Sequence, residues 1–334
     1  MLKSVTTLVK DAKLIVEKCM AVTAGDKVLI IADHSHLAEA GALAGCCHDA
    51  GAFPVIADIT LHVTAGLISM KNPVEPPEHL AAAMVNSDVI LITTNLEWAN
   101  RFAHVNPVKM SVERGARIAS VEEGMGAWDL TAEDIDDIVG QSQRIIDFMT
   151  GAKEVRVTSE AGTDVKICVE GRPALRVVPV KGKGEMMGPI PLWGEVAYAA
   201  VEDKTEGIIV VDGIMLGVGV PGSIKNNITI KVKNGRAVEI TGGEEADRLK
   251  KVILEADQNA DIIGEFAIGT SEKEVIGSPS EKGLRGTVHF ALGDNWHCYP
   301  GGQNVSRIHL DGSVRDVDVI VDGRKMIEKG KLII

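Results

Sequence analysis

The 334-residue chain carries 45% hydrophobic residues and 47 acidic against 35 basic side chains, for a formal charge of −12. That is apolar material for a sizeable core in two domains or one large one, and the acidic excess excludes nucleic acid and anionic membrane surfaces, both held chiefly through lysine and arginine. Five Phe, four Trp and two Tyr are too few for base-stacking or sugar-stacking platforms.

The N-terminus, Met1 to Asp11, interleaves charges with apolar residues. It lacks the continuous apolar stretch of a signal peptide or a membrane span, so a cytoplasmic protein is expected. Up to about residue 150, short β-branched runs alternate with helical segments, the pattern of a parallel α/β sheet. Leu2 to Met20 has helical spacing, and Lys27 to Ala32 reads as a buried strand. The unit repeats as helix His36 to Ala50 before strand Pro54 to Asp58, and as helix Pro76 to Asn86 before strand Asp88 to Thr93. Val108 to Arg114 then precedes strand Ala116 to Val121, and Thr131-Ala-Glu-Asp134 reads as a capping box opening a closing helix. Four strands are expected, in an α/β Rossmann-like domain over residues 1–150.

From about residue 153 strands dominate and turns are glycine-rich, which predicts an α+β domain rich in antiparallel strands over residues 151–334. Gly182 to Pro191 is expected to be a loop, because glycine and proline interrupt both periodicities. Asn234-Gly235 marks a hairpin inside Thr229 to Ile240, and Asp322-Gly323 repeats the pattern. Between them Glu244 to Gln258 is one amphipathic helix, with Leu249, Val252, Ile253 and Ala256 on a single stripe.

Some motifs lead nowhere. Cys19, Cys46, Cys47, Cys168 and Cys298 form no CxxC pair and read as reduced thiols, Cys46 and Cys47 as small apolar fillers. Asp33-His34-Ser35-His36 follows the first strand where ligands of open α/β sheets collect, although Ser35 capping the next helix explains it as well. Gly217-Val-Gly219-Val-Pro-Gly222 is a poor dinucleotide fingerprint, with proline inside it and a strand after it, and reads as a loop. No nucleophile elbow or phosphate-binding glycine loop occurs, so serine and cysteine catalysis have no support.

The densest chemistry lies between Glu265 and Asp311, where three of the nine histidines, His289, His297 and His309, stand beside Glu265, Asp294 and Asp311. His309 and Asp311 flank Leu310, so strand alternation sends both polar side chains to one face. A neutral imidazole and a carboxylate on one rigid strand suit a divalent ion such as zinc, cobalt, manganese or iron. Glu195, Glu265 and His289 likewise interrupt apolar runs, though each alone would fit a solvent-facing strand position. Three carboxylates and two imidazoles suffice for one metal and, with a bridging carboxylate, for two. Such a site activates water and polarises a carbonyl oxygen, and a spare Glu would be the general base.

At these residues the sequence resembles the aminopeptidase T and aminopeptidase S family of metallo-aminopeptidases. The similar stretches are Ala161 to Asp164, Gly194-Glu-Val196, Gly264 to Thr270, Gly286 to Asp294 and Ile308 to Asp311, and the likeness is strongest over roughly residues 155–330. The resemblance implies metal ligands at Glu195, Glu265, His289, His309 and Asp311, with catalytic roles for Glu195, Glu265 and Tyr299. It also implies a peptide or small-molecule substrate and a homodimer. A branch of the same fold is similar to 2,5-dihydroxypyridine 5,6-dioxygenase, an iron(II) ring-cleaving enzyme for which His289, His309 and Asp311 would be the ligands. Glu195 and Glu265 favour the hydrolase; a non-catalytic binding protein on this fold is the third alternative.

Overall fold

The computed structural model describes residues 5–62, 64, 75–94, 105–185, 187–219, 224–297 and 299–334. Cys298 and residues 220–222 of the glycine-rich stretch lie outside the described residues, as do residues 1–4. The chain divides into two compact units, Met1–Val139 with Val178–Leu192, and Gly140–Val177 with Trp193–Ile334.

The first unit is α/β. Its strands are β1 (Lys27–Ala32), β2 (Phe53–Asp58), β3 (Val89–Thr93), β4 (Arg117–Val121) and β8 (Gly188–Ile190), parallel throughout in the order β2-β1-β3-β4-β8. Helices cover both faces of this sheet, which explains why its interior strands β1, β3 and β4 are mostly apolar and buried on nearly every residue. Val28, Ile30, Val89, Leu91 and Ala119 pack with α1 (Val5–Leu14) and α2 (Leu37–Asp49). Leu29, Ile31, Ile90, Ile92 and Ile118 pack with α3 (Glu78–Val85) and α4 (Asn106–Glu113) on the other face. The expected capping box forms, with Thr131 and Asp134 exchanging side-chain to backbone bonds at 2.8 and 3.3 Å before α5 (Ala132–Met149). Cys47 is fully buried in this core as an apolar filler, and Cys46 packs at its edge.

One expectation fails here. The segment read as a loop, Gly182 to Pro191, contains β8, which pairs with β4 from Ala119↔Gly188 to Val121↔Ile190 and makes a fifth parallel strand. The strand is three residues long at a sheet edge, where Pro189 costs no ladder bond on its open side, so it leaves no periodicity to read.

The second unit is rich in antiparallel strands. An eight-stranded sheet runs β12-β11-β10-β6-β5-β16-β17-β18, comprising β5 (Glu154–Thr158), β6 (Asp164–Cys168), β10 (Glu206–Val211), β11 (Ile228–Lys233), β12 (Arg236–Thr241), β16 (Asp318–Val321), β17 (Arg324–Glu328) and β18 (Lys331–Leu332). Both hairpin signals hold: Asn234 and Gly235 have φ of 49° and 73°, and Asp322 and Gly323 have 45° and 82°, the positive pair that a type I′ turn requires. The amphipathic helix is α6 (Glu244–Ala256).

A five-stranded sheet, order β15-β14-β13-β9-β7, is built from β7 (Leu175–Val177), β9 (Glu195–Ala199), β13 (Ile263–Gly269), β14 (Val288–Gly293) and β15 (His309–Val314). One of its faces carries Val196, Tyr198, Phe266, Ile268, Val288, Phe290 and Leu292, which share a core with Val155, Val157, Ile167 and Ile209 of the larger sheet. The other face holds the chemistry.

Candidate metal centre

The register of the five-stranded sheet explains how residues 195 to 311 meet. Gly269 stands opposite Glu195, Ala267 opposite both Ala197 and His289, Glu265 opposite Ala199 and Ala291, and Ala291 opposite Asp311. Alternation therefore puts Glu195, Glu265, His289, His309 and Asp311 on one face. Their neighbours on that face are Ala197, Ala199, Ala267, Gly269, Ala291, Gly293 and Ser313, which are small enough to leave the longer side chains room to converge.

The five donors form two overlapping groups able to hold a metal ion, Glu195 with Glu265 and His289, and Glu265 with His309 and Asp311. In the first, His289 Nε2 lies 3.5 Å from Glu195 Oε2 and 3.4 Å from Glu265 Oε1. In the second, His309 Nε2 lies 2.9 Å from Glu265 Oε2 and 3.0 Å from Asp311 Oδ1. All but His309 are buried.

Backbone carbonyls orient both rings. His289 Nδ1 faces the Lys282 oxygen at 3.2 Å and His309 Nδ1 faces the Asp294 oxygen at 2.7 Å. A carbonyl only accepts, so each Nδ1 carries the proton and each Nε2 of a neutral ring turns a lone pair towards the carboxylates. Lone pairs facing carboxylate oxygens repel unless a proton or a cation lies between them. With both rings neutral, three buried carboxylate oxygens, Glu195 Oε2, Glu265 Oε1 and Asp311 Oδ1, have no hydrogen-bond donor. An isolated buried carboxylate costs several kcal/mol, so the donor set fits a divalent cation.

Without such an ion, protons stand in for it. Burial pushes both imidazoles down, but Glu265 outweighs it at His289, and Asp311 with Glu265 outweighs it at His309, so both sit above the ordinary range, His309 well above. Burial pushes Glu265 up, yet His289 and His309 hold it at about 2. Glu195 goes the other way, raised by burial and by the neighbouring Glu265 charge.

Tyr299 joins the site. Its hydroxyl is 3.1 Å from His309 Nε2 and its ring stacks on the imidazole at 5.2 Å, 18° from parallel. His297 and Asp294 do not join; they pair with each other at 2.8 Å, and Asp294 also accepts from the Ser306 N–H at 3.1 Å. The Asp33 to His36 motif makes no metal group among the described residues. Asp33 rather than Ser35 is the cap there, accepting from Ser35 N–H at 2.9 Å and pairing with His36 Nδ1 at 2.8 Å, because its carboxylate reaches both at once.

Lys282 is the participant that sequence reasoning missed. Its ammonium bonds Asp311 Oδ2 and lies 5.0 Å from the centre of the Trp193 ring. Burial pushes it down, but Asp311 and then Glu195 outweigh that and raise it to about 12.

A family model described as NicX, 2,5-dihydroxypyridine 5,6-dioxygenase, matches residues 8–334. Two solved structures are similar over nearly their whole length. The 2,5-dihydroxypyridine dioxygenase of Pseudomonas putida KT2440 has a TM-score of 0.76 at 17% identity, covering 99% of this chain and 98% of that one. AmpT of Thermus thermophilus has a TM-score of 0.73 at 17% identity, covering 98% and 99%. None of the curated proteins matches the chain. Among the described residues no helix is long and apolar enough to cross a membrane.

Proposed function

The chain belongs to the family described as NicX, 2,5-dihydroxypyridine 5,6-dioxygenase, and from that premise we propose a divalent-metal enzyme acting as a hydrolase of the aminopeptidase T type on N-terminal residues or a small amide. The fold it shares with AmpT, at 17% identity, is compatible with that chemistry. Glu195, Glu265, His289, His309 and Asp311 would hold zinc, cobalt or manganese, which when bound lowers the pKa of water and polarises a carbonyl oxygen.

The observation that carries the choice of chemistry is the number of carboxylates beside the two imidazoles. His289 and His309 fall in different donor groups, each with two carboxylates. A ring-cleaving iron site of two histidines and one carboxylate needs both imidazoles on one ion with positions left open. Hydrolysis needs a carboxylate to take the proton of water, and the acid pair divides that labour. Glu265 is common to both groups and would link them, which leaves Glu195 as the carboxylate to take the proton. The Tyr299 hydroxyl and ring hold His309 in place.

Hydrolysis of amino-acid p-nitroanilides by purified protein, before and after chelation and metal return, tests this. Activity is expected to vanish with the metal and come back with it; activity indifferent to chelators overturns the reading. The second reading, an iron(II) dioxygenase, draws on the family match over residues 8–334. Its mark is one iron per chain and oxygen uptake with 2,5-dihydroxypyridine.

A further inference from the structure

Three carboxylates meet in the site, and one ammonium is built in among them. Lys282 lies in the short 3-10 turn Pro279–Gly283, whose position is fixed from β15. The fully buried Glu281 next to it accepts from Arg315 Nε at 2.7 Å, Arg315 Nη2 at 2.5 Å and Ser313 Oγ at 3.1 Å. On its other side Gly283 packs so closely that a Cβ there would meet the Trp193 ring at 3.2 Å. The Lys282 ammonium is thus delivered to Asp311 by a pinned turn, and the same residue's carbonyl orients His289.

The two donor groups differ in spacing as well as charge. Around His289 Nε2 the carboxylate oxygens stand at 3.4 and 3.5 Å. Those separations exceed ordinary hydrogen-bond lengths and match donors about 2.1 Å from a four-coordinate ion, which lie roughly 3.3–3.5 Å apart. Around His309 Nε2 they stand at 2.9 and 3.0 Å, ordinary hydrogen-bond lengths. Glu195 and Glu265 with a neutral imidazole carry two negative charges, the complement of one divalent ion. Asp311, the third carboxylate, already has its countercharge in Lys282.

We infer that Lys282 is a built-in counter-cation that holds the site to one divalent ion, seated among Glu195, Glu265 and His289, with the ammonium supplying at Asp311 the charge of a second ion. The inference rests on the metal-dependent reading above and deepens it. Replacing Lys282 by a neutral side chain frees Asp311 and opens a second position beside His309.

The test is the number of ions per chain after chelator-stripped full-length protein is dialysed against excess Zn²⁺ or Mn²⁺ and then freed of unbound metal. Wild type and Lys282→Arg are expected to hold one, and Lys282→Met two, the second located beside His309 and Asp311 by anomalous scattering. Lys282→Gln is counted in place of Lys282→Met if the latter does not fold. Two ions in wild type, or one in a folded neutral variant, overturn the inference while leaving metal dependence standing. No ion in wild type overturns the metal reading itself, and the inference with it.

Discussion

Two five-stranded sheets, one in each unit, bury their central strands on every residue, β3 and β4 in the first and β13 and β14 in the second. They use their second face in opposite ways. On β3, Val89 and Leu91 face one helical layer while Ile90 and Ile92 face the other, so both faces are core. On β13, Phe266 and Ile268 are core, but Glu265, Ala267 and Gly269 face a cluster of acids and imidazoles. Apolar burial stabilises by about 25 cal/mol per Å², whereas each buried carboxylate costs several kcal/mol unless compensated. The parallel sheet is therefore built for stability on both sides. The antiparallel one gives up half of that gain to a cluster of acids and imidazoles able to hold a cation.

The sharpest way to break this comparison is to change neighbouring residues of β13 that point to opposite faces. Glu265→Gln removes the donor common to both groups. Structural four-ligand sites bind with about 10–16 kcal/mol, so one ligand is worth roughly 3 kcal/mol or more, and calorimetric affinity for Zn²⁺ should fall ~100-fold or beyond with hydrolysis lost. Undiminished affinity would remove Glu265 from the ligands. Phe266→Ala, one residue along, should instead cost about 3–5 kcal/mol in urea unfolding and leave the metal content unchanged. A change in metal content there would mean that the two faces are not independent.

Chelation sharpens the same contrast at the level of whole sheets. An ion present at a thousand times its Kd contributes about 4 kcal/mol by mass action. Stripping it should lower hydrogen-exchange protection along β9, β13, β14 and β15, whose strands carry the donors, and leave β1, β3 and β4 as they were. Equal loss in both sheets would contradict a site confined to the second unit.

How much of this the sequence discloses follows from the same two faces. The parallel strands are legible because unbroken β-branched runs such as Val89-Ile-Leu-Ile-Thr93 have one reading. The site strands repeat a polar-large-small-large-small pattern, in Glu195-Val-Ala-Tyr-Ala199, Glu265-Phe-Ala-Ile-Gly269 and His289-Phe-Ala-Leu-Gly293. The acids and histidines stood out from these runs, but the small residues that make space for them did not, though they carried the stronger signal. Lys282 was beyond reach, since a lysine in a Pro-Ser-Glu-Lys-Gly turn is ordinarily solvated, and only the Glu281 anchor turns it inward. Strand β8 escaped because pairing with β4, rather than local sequence, makes it a strand.

The smallest expected effect belongs to the first unit, where a buried charge is compensated by the protein alone. Arg117, on a central strand of the parallel sheet, donates to Asp26 Oδ2 at 2.7 Å and to the Met20 and Ala21 carbonyls at 2.6 and 2.5 Å. Burial pushes the Asp26 carboxyl up, but the Thr23 N–H and the Arg117 guanidinium outweigh it and hold the group below the usual carboxylate range. A folded-state pKa below the unfolded value of about 3.9 gives stability that is present above pH ~4 and is lost as pH falls through the folded pKa. Asp26→Asn should therefore destabilise by roughly 1.5–3 kcal/mol at neutral pH, the worth of a hydrogen bond to a charged group. The gap from wild type should close on acidification towards pH 2, and it should be the same with and without metal. A gap that instead opened when metal was removed would tie this pair to the donor groups of the second unit. Constancy would mark the first unit as self-compensated, in contrast to the sheet whose donor groups are able to hold an ion.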